Sequence, residues 1–132
     1  MSISAIIIDD NQDAVELFQE YLEVKGIDVL GVGYNGKEAV ELFLKLRPDV
    51  VFIDVTMPYY DGFYALEKVR KLDHDVKIIM VTADSQTHQK KKIFELNADA
   101  IATKPYDIED IVDVLEKITN QRVSPTSLGS NS

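Results

Sequence analysis

The chain has no cysteine among its 132 residues. Disulfides, thiol nucleophiles and thiolate metal sites are therefore excluded. Histidine is scarce. His74 and His88 both lie in polar stretches apart from any other ligand pattern, so neither an imidazole metal site nor a phosphohistidine carrier is expected. Long hydrophobic runs are missing too; the longest are strand-sized and end in carboxylates, which argues against a bilayer-spanning helix and a membrane role. Met1-Ser2-Ile3-Ser4 shows no basic segment leading into an apolar one, so no secretory signal is visible and a cytoplasmic location is expected. Basic residues are few, 14 against 23 acidic for a net charge of −9, which disfavours direct contact with nucleic-acid phosphates. The one cationic run, Lys90-Lys91-Lys92, spreads around a helix axis and reads as a solvated face.

What is present is an alternation. Hydrophobic content of 45% with 28% charged residues suits one globular domain with a proper core. Apolar runs at Ala5–Ile8, Val29–Val32, Val50–Ile53, Ile78–Val81 and Ala100–Ala102 are short and rich in β-branched residues, as buried strands are. Helical patterns separate them. The first carries Ala14, Leu17, Phe18, Tyr21 and Leu22 on one face and stops at Gly26. The second opens at Asn35-Gly36, ends before Pro48 and buries Ala39, Val40, Phe43 and Leu46. The third uses Phe63, Leu66, Val69 and Leu72. The last has Asp107 as N-cap and repeats Ile108, Ile111, Val112, Leu115 and Ile118. A fourth, from about Ser85 to Leu96, keeps its apolar residues at its end, in Ile93, Phe94 and Leu96. It has the least burial to hold it and is expected to be the most mobile. Strands alternating with helices predict an α/β fold with a parallel sheet covered on both faces. Residues 1–120 form one domain on this reading, and 121–132, rich in Ser, Asn, Thr and Gly, a disordered tail or linker stub.

Sites in such sheets form beyond the carboxyl ends of the strands. Asp9 and Asp10 follow the first, Asp54 the third, Thr82 the fourth and Lys104 the fifth; the second ends in Gly33-Tyr34 and offers nothing comparable. Each residue alone has an ordinary explanation as cap, turn former or surface charge. Their shared edge and complementary chemistry are what point to a site. Three carboxylates meeting there need protonation or a cation, and oxygen ligands without His or Cys suit Mg²⁺. A carboxylate nucleophile, a divalent metal, an ammonium and a hydroxyl make a phosphoryl-transfer site of the aspartyl-phosphate kind.

The set Asp9-Asp10, Asp54-Val55-Thr56-Met57-Pro58 with Asp61-Gly62, Thr82-Ala83 and Lys104-Pro105 resembles the receiver domain of two-component response regulators over about Ile3 to Ile118. That resemblance implies a flavodoxin-like doubly wound sheet of five strands in the order 2-1-3-4-5, with five helices on two faces. It implies that Asp54 takes a phosphoryl group from a sensor histidine kinase or phosphotransfer protein. Asp10, Asp54 and the backbone carbonyl of Thr56 would ligate Mg²⁺, and Asp9 would act through a metal-bound water. Lys104, Thr82 and the amide near Ala83 would hold the phosphoryl oxygens, and Pro105 would follow a cis peptide bond. Thr82 would move inward on phosphorylation and draw on the weak fourth helix. A complete swing takes about 5.5 kcal/mol, which three or four charge-assisted bonds can supply. Output to a downstream protein would run through the fourth helix, fifth strand and fifth helix, from a monomer or a weak phosphorylation-dependent dimer.

Two places depart from the family pattern. Ile101 stands where the family often has a switching aromatic, and Tyr59-Tyr60 follows Met57-Pro58 beside the site, either as turn packing or as a gate for donor or phosphatase access. Tyr106 matches a position usually aromatic for packing. Thr56 and Asp84 match positions that tune phosphoryl lifetime. Other readings fare worse. An aspartyl-nucleophile phosphatase wants a second Asp where Thr56 stands, and a flavin binder wants a phosphate loop where Asp9-Asp10-Asn11-Gln12-Asp13 would repel one.

Overall fold

The computed structural model of the chain describes residues 2–83 and 87–123. In chain order the elements are β1 (Ser4–Ile8), α1 (Gln12–Val24), β2 (Asp28–Gly33), α2 (Gly36–Leu46), β3 (Val50–Asp54), α3 (Gly62–Leu72), β4 (Lys77–Thr82), α4 (Thr87–Glu95), β5 (Ala100–Thr103) and α5 (Ile108–Thr119). The strands pair in parallel in the order β2-β1-β3-β4-β5. The α/β, flavodoxin-like doubly wound sheet expected from the sequence is the observed fold. The predicted start of α4 at Ser85, Asp84, the His88 side chain and the tail from 124 onward lie outside the described residues.

Strand side chains alternate between two cores. Ile6, Ile8, Val51, Ile53, Ile78 and Met80 pack with α2, α3 and Ile93 of α4. Ala5, Ile7, Val50, Phe52, Ile79 and Val81 pack with α1 and α5. Every residue of β3 is buried, which is why its sequence is a continuous apolar run rather than an alternating one. Each buried Ile, Val or Phe here contributes roughly 1.5–3 kcal/mol, so the strand that carries Asp54 belongs to the most firmly held part of the fold.

Helix starts are fixed by side-chain caps. Asn11 accepts from the Ala14 N–H at 3.1 Å, Asn35 from Glu38 at 2.9 Å and Asp61 from Tyr64 at 3.0 Å. Asp107 holds the N-cap position of α5, but its side chain makes no capping bond; Glu109 and Asp110 supply acidic charge to the first turn instead.

Some helix faces differ from expectation. In α1 the buried set is Val15, Phe18 and Leu22, while Leu17 and Tyr21 are 49% and 46% exposed. At 100° per residue the buried three span about 60°, and Tyr21 and Leu17 fall about 60° and 100° beyond that stripe, more than one sheet face covers. In α3 Leu72, the last residue of the helix, is exposed, and Arg70 is buried beside Leu66 and Val69. In α4 Ile93 is fully buried and Phe94 exposed. Lys90 is half-buried while Lys91 and Lys92 are exposed, so the cationic run does spread around the axis.

Candidate functional site

The residues that end β1 and β3 meet where the strand order reverses. Ile8 pairs with Ile53, so Asp9 and Asp54, one step further on, stand side by side at the sheet edge. One carboxylate oxygen each from Asp9, Asp10 and Asp54 lies within 4.8 Å of the others. Asp9 and Asp54 are only 8% and 9% exposed, whereas Asp10 is open to solvent. Lys104, just beyond β5, reaches across with Nζ 3.2 Å from Asp9 Oδ2 and 3.6 Å from Asp54 Oδ2. The Asn11 N–H donates to Asp9 Oδ1 at 3.0 Å, and the Thr56 N–H to Asp54 Oδ1 at 3.3 Å.

One ammonium against three carboxylates leaves the cluster short of positive charge. Burial, and next the neighbouring Asp9, push the Asp54 carboxyl up to about 6; Lys104 and the Thr56 N–H pull the other way and lose. Burial alone would lower the Lys104 ammonium, but Asp54 and Asp9 outweigh it, so the side chain is held above its ordinary value and stays charged. The donor set is anionic, hard and all oxygen. It fits a small divalent cation such as Mg²⁺, which would relieve the repulsion that raises Asp54.

The backbone behind Asp54 is closely packed. A Cβ on Gly62 would lie 2.3 Å from the Asp54 carbonyl oxygen, so only glycine lets the start of α3 pass under the site. The Gly36 N–H donates to the Tyr60 carbonyl at 2.6 Å and ties the start of α2 to the same loop. Tyr60 packs on Tyr64 with ring centroids 4.9 Å apart, as turn packing predicts. Tyr59 is 97% exposed and sits at φ 64°, a left-handed conformation unusual for an aromatic residue.

The remaining predicted residues lie on the same edge. Thr82 is 2% exposed at the end of β4, and its hydroxyl donates to Gln89 Oε1 on α4 at 3.1 Å. Ala83 is exposed beside it. Ile101 is half-buried in β5 against the core under α3 and α4. The Lys104–Pro105 peptide bond is cis. Tyr106 packs edge-on against Phe18 at 5.4 Å; burial, then Asp9 and Asp54, push its phenol up to about 12. His74 is exposed and apart from the cluster.

Sequence reasoning missed two polar side chains. Gln89 gave no signal in a helix read as polar throughout its first half. Arg70 is 8% exposed; it donates to the carbonyls of Val76 at 2.6 Å and Asn97 at 2.7 Å, and to Asp99 Oδ2 at 2.8 Å. It thereby fastens α3 to the turn that ends α4. A cation adjoining the apolar face of Leu66 and Val69 was the available clue.

Among the described residues no helix is long and apolar enough to cross a membrane. The family model for the response regulator receiver domain matches residues 5–116. The chain is 30% identical over 118 residues to the chemotaxis protein CheY of Halobacterium salinarum, covering 89% of this chain and 98% of that protein. It is 30% identical over 119 residues to CheY of Thermotoga maritima, covering 90% and 99%. Among solved structures, a LuxR-family DNA-binding response regulator from Staphylococcus aureus superposes with a TM-score of 0.84 at 28% identity, covering 89% of this chain and 99% of that one. CheY in a CheX-CheY-BeF3-Mg complex from Borrelia burgdorferi shares the fold with a TM-score of 0.84 at 23% identity, with 89% of each chain covered. The chain thus belongs to the response regulator receiver domains, the family of phosphoacceptor switches in two-component signalling.

Proposed function

We propose that Asp54 is the phosphoacceptor of a signalling switch, taking its phosphoryl group from a phosphohistidine on a sensor histidine kinase or phosphotransfer protein. The observation that carries this reading is the convergence of Asp9, Asp10 and Asp54 with Lys104 at the sheet's switch point. Burial and Asp9 raise Asp54 to about 6, so it is mostly ionised at neutral pH and its carboxylate is available as the nucleophile. In the transfer an Asp54 Oδ–P bond forms as the N–P bond breaks, and the imidazole leaves with the electron pair. Asp10, Asp54 and the Thr56 carbonyl would hold Mg²⁺, with Asp9 acting through a bound water. When bound, the ion supplies positive charge between the carboxylates and the phosphoryl oxygens. Lys104 would shift from Asp9 and Asp54 toward a phosphoryl oxygen, while the Thr82 hydroxyl and the Ala83 amide donate to others.

The Borrelia CheY of the same fold stands in a complex with BeF3 and Mg, in keeping with a divalent ion and a phosphoryl-like anion at this site. Residues 1–120 act as the receiver and 121–132 as a tail or linker, although its start stays on the domain: the Val123 N–H donates to Glu116 Oε2 at 2.7 Å and its side chain packs against the core under α1 and α5. The output surface is the face of α4, β5 and α5, which engages a downstream protein from a monomer or a weak phosphorylation-dependent dimer, without direct nucleic-acid contact, in the cytoplasm.

Incubation with acetyl phosphate and Mg²⁺ followed by intact-mass measurement is the direct test. One labile phosphoryl group is expected on the native chain and none on Asp54→Asn. Undiminished labelling of that variant would place the acceptor elsewhere.

A further inference from the structure

We infer that Gln89 is a positioning residue that holds the Thr82 hydroxyl against α4 until a phosphoryl oxygen competes for it. The inference rests on the phosphoacceptor reading and adds to it a specific counter-ligand. Thr82 has a single hydroxyl hydrogen, and it is directed at Gln89 Oε1 at 3.1 Å. A hydrogen donated to an amide oxygen is not at the same time available to an anion at Asp54. Thr82 is 2% exposed, so its hydroxyl exchanges one protein partner for another rather than for bulk water.

The position of Gln89 on the helix gives that exchange leverage. The far end of α4 is well anchored. Ile93 is fully buried, Leu96 is partly buried, and the Asn97 carbonyl takes Arg70 Nε at 3.0 Å and Nη2 at 2.7 Å. Gln89 lies in the first turn, in the polar half, where it and Lys90 are half-buried, against full burial for Ile93 further along. A hydrogen bond to the end of β4 therefore holds the part of the helix that burial holds least. Giving up that bond releases the hydroxyl from Gln89 and loosens the helix start in one step.

The test is a titration of the full chain with beryllofluoride, a phosphoryl mimic, in Mg²⁺. It is run on the native chain, Gln89→Leu and Gln89→Glu, each also combined with Thr82→Ala. Leucine keeps the bulk without the acceptor, and the apparent affinity is expected to tighten about fivefold, the worth of one ordinary hydrogen bond. Glutamate is a stronger acceptor, and binding is expected to weaken by more than it does in the Thr82→Ala background. The leucine effect should disappear once Thr82 is alanine. Gln89→Ala should share the sign of leucine and replaces it if the leucine variant does not fold. Shifts of the same sign for leucine and glutamate, or a leucine effect that survives Thr82→Ala, would overturn the assignment while leaving Asp54 as acceptor. A native chain that neither binds beryllofluoride with Mg²⁺ nor labels on Asp54 overturns both.

Discussion

Replacing Asp54 with asparagine should stabilise the metal-free chain at neutral pH, although it removes a central residue of the site. Burial first, and Asp9 second, raise the carboxyl from 3.8 to about 6. A folded-state value above the unfolded one means the folded chain binds the proton more tightly, so ionisation works against folding. The penalty is nearly absent below pH 4, grows between pH 4 and 6, and is complete above that window. A shift of about two pK units corresponds to a ceiling of about 3 kcal/mol. The carboxylate still reaches solvent at the sheet edge and Lys104 is free to adjust, which screens roughly half of it. A net gain of roughly 1–2 kcal/mol remains, or about 5 °C in melting temperature for a domain of this size. Lys104 keeps its 3.2 Å contact with Asp9 in the variant, so no cation is stranded. The assay is thermal or urea unfolding of both proteins in EDTA at pH 7.5 and pH 5.0, and the gain should fall to about half at the lower pH. Adding Mg²⁺ should stabilise the native chain more than the variant, since only the former offers the full ligand set. A variant less stable than the native chain in EDTA at pH 7.5, or a gain that grows toward acid, would refute the electrostatic reading of the cluster.

Other perturbations separate the ion, the scaffold and the turn. Asp10→Ala should weaken Mg²⁺ binding by calorimetry more than about tenfold, yet leave stability in EDTA within about 0.5 kcal/mol because the side chain is exposed; unchanged metal affinity would remove Asp10 from the ligand set. Gly62→Ala would place a Cβ 2.3 Å from the Asp54 carbonyl oxygen, and urea unfolding should show a loss of about 2–3 kcal/mol together with slower labelling of Asp54. Arg70→Leu should cost about 2–3 kcal/mol by urea unfolding, since it strands the buried Val76 carbonyl and cuts the tie to the Asn97 carbonyl and Asp99, while the acetyl phosphate reaction proceeds as before. Tyr59→Asn should gain about 0.5 kcal/mol in the same assay, since asparagine tolerates the φ of 64° that the exposed tyrosine adopts without packing in return.

The sheet and the acidic cluster were legible for related reasons. Strands buried on both faces must be apolar throughout, so Val50–Ile53 could be read without partners, and the first polar residue after such a run marks the sheet edge. Asp54 and Thr82 prove to be the last residues of their strands, one step past the apolar runs. Helix faces were less legible because a sheet covers a narrower stripe than the apolar residues available to it, and Leu17 and Tyr21 were left outside, while Leu72 is exposed at the end of its helix. Gln89 and the uncapped Asp107 side chain were not legible, and Arg70 only as a cation adjoining the apolar face of Leu66 and Val69. Each is decided by a partner that only the folded chain supplies: the Asn97 carbonyl for Arg70, the Thr82 hydroxyl for Gln89, and the lack of a bonded N–H for Asp107.

If Asp54 is the phosphoacceptor as proposed, the existing bonds of Lys104 and Thr82 limit how far phosphorylation alone can drive the switch. Lys104 is already paired with Asp9 and Asp54, so moving it to a phosphoryl oxygen exchanges one charge-assisted contact for another, with little net gain. Thr82 exchanges a neutral bond worth about 1 kcal/mol for one to an anion worth about 1.5–3 kcal/mol. Backbone amides such as that of Ala83, which is exposed and has water to give up, add a contribution of the same size. The sum comes to about 3 kcal/mol, short of the roughly 5.5 kcal/mol of a complete swing. A full complement of three or four new bonds is therefore an overcount, because two of the donors start out satisfied. Phosphorylation on these terms raises the active population by about two orders of magnitude. On the proposed reading, the rest of the shift comes from a target protein that binds the active arrangement of the proposed output face more tightly than the resting one. Affinity for the target and affinity for the phosphoryl group are then coupled, each strengthening the other by the same factor.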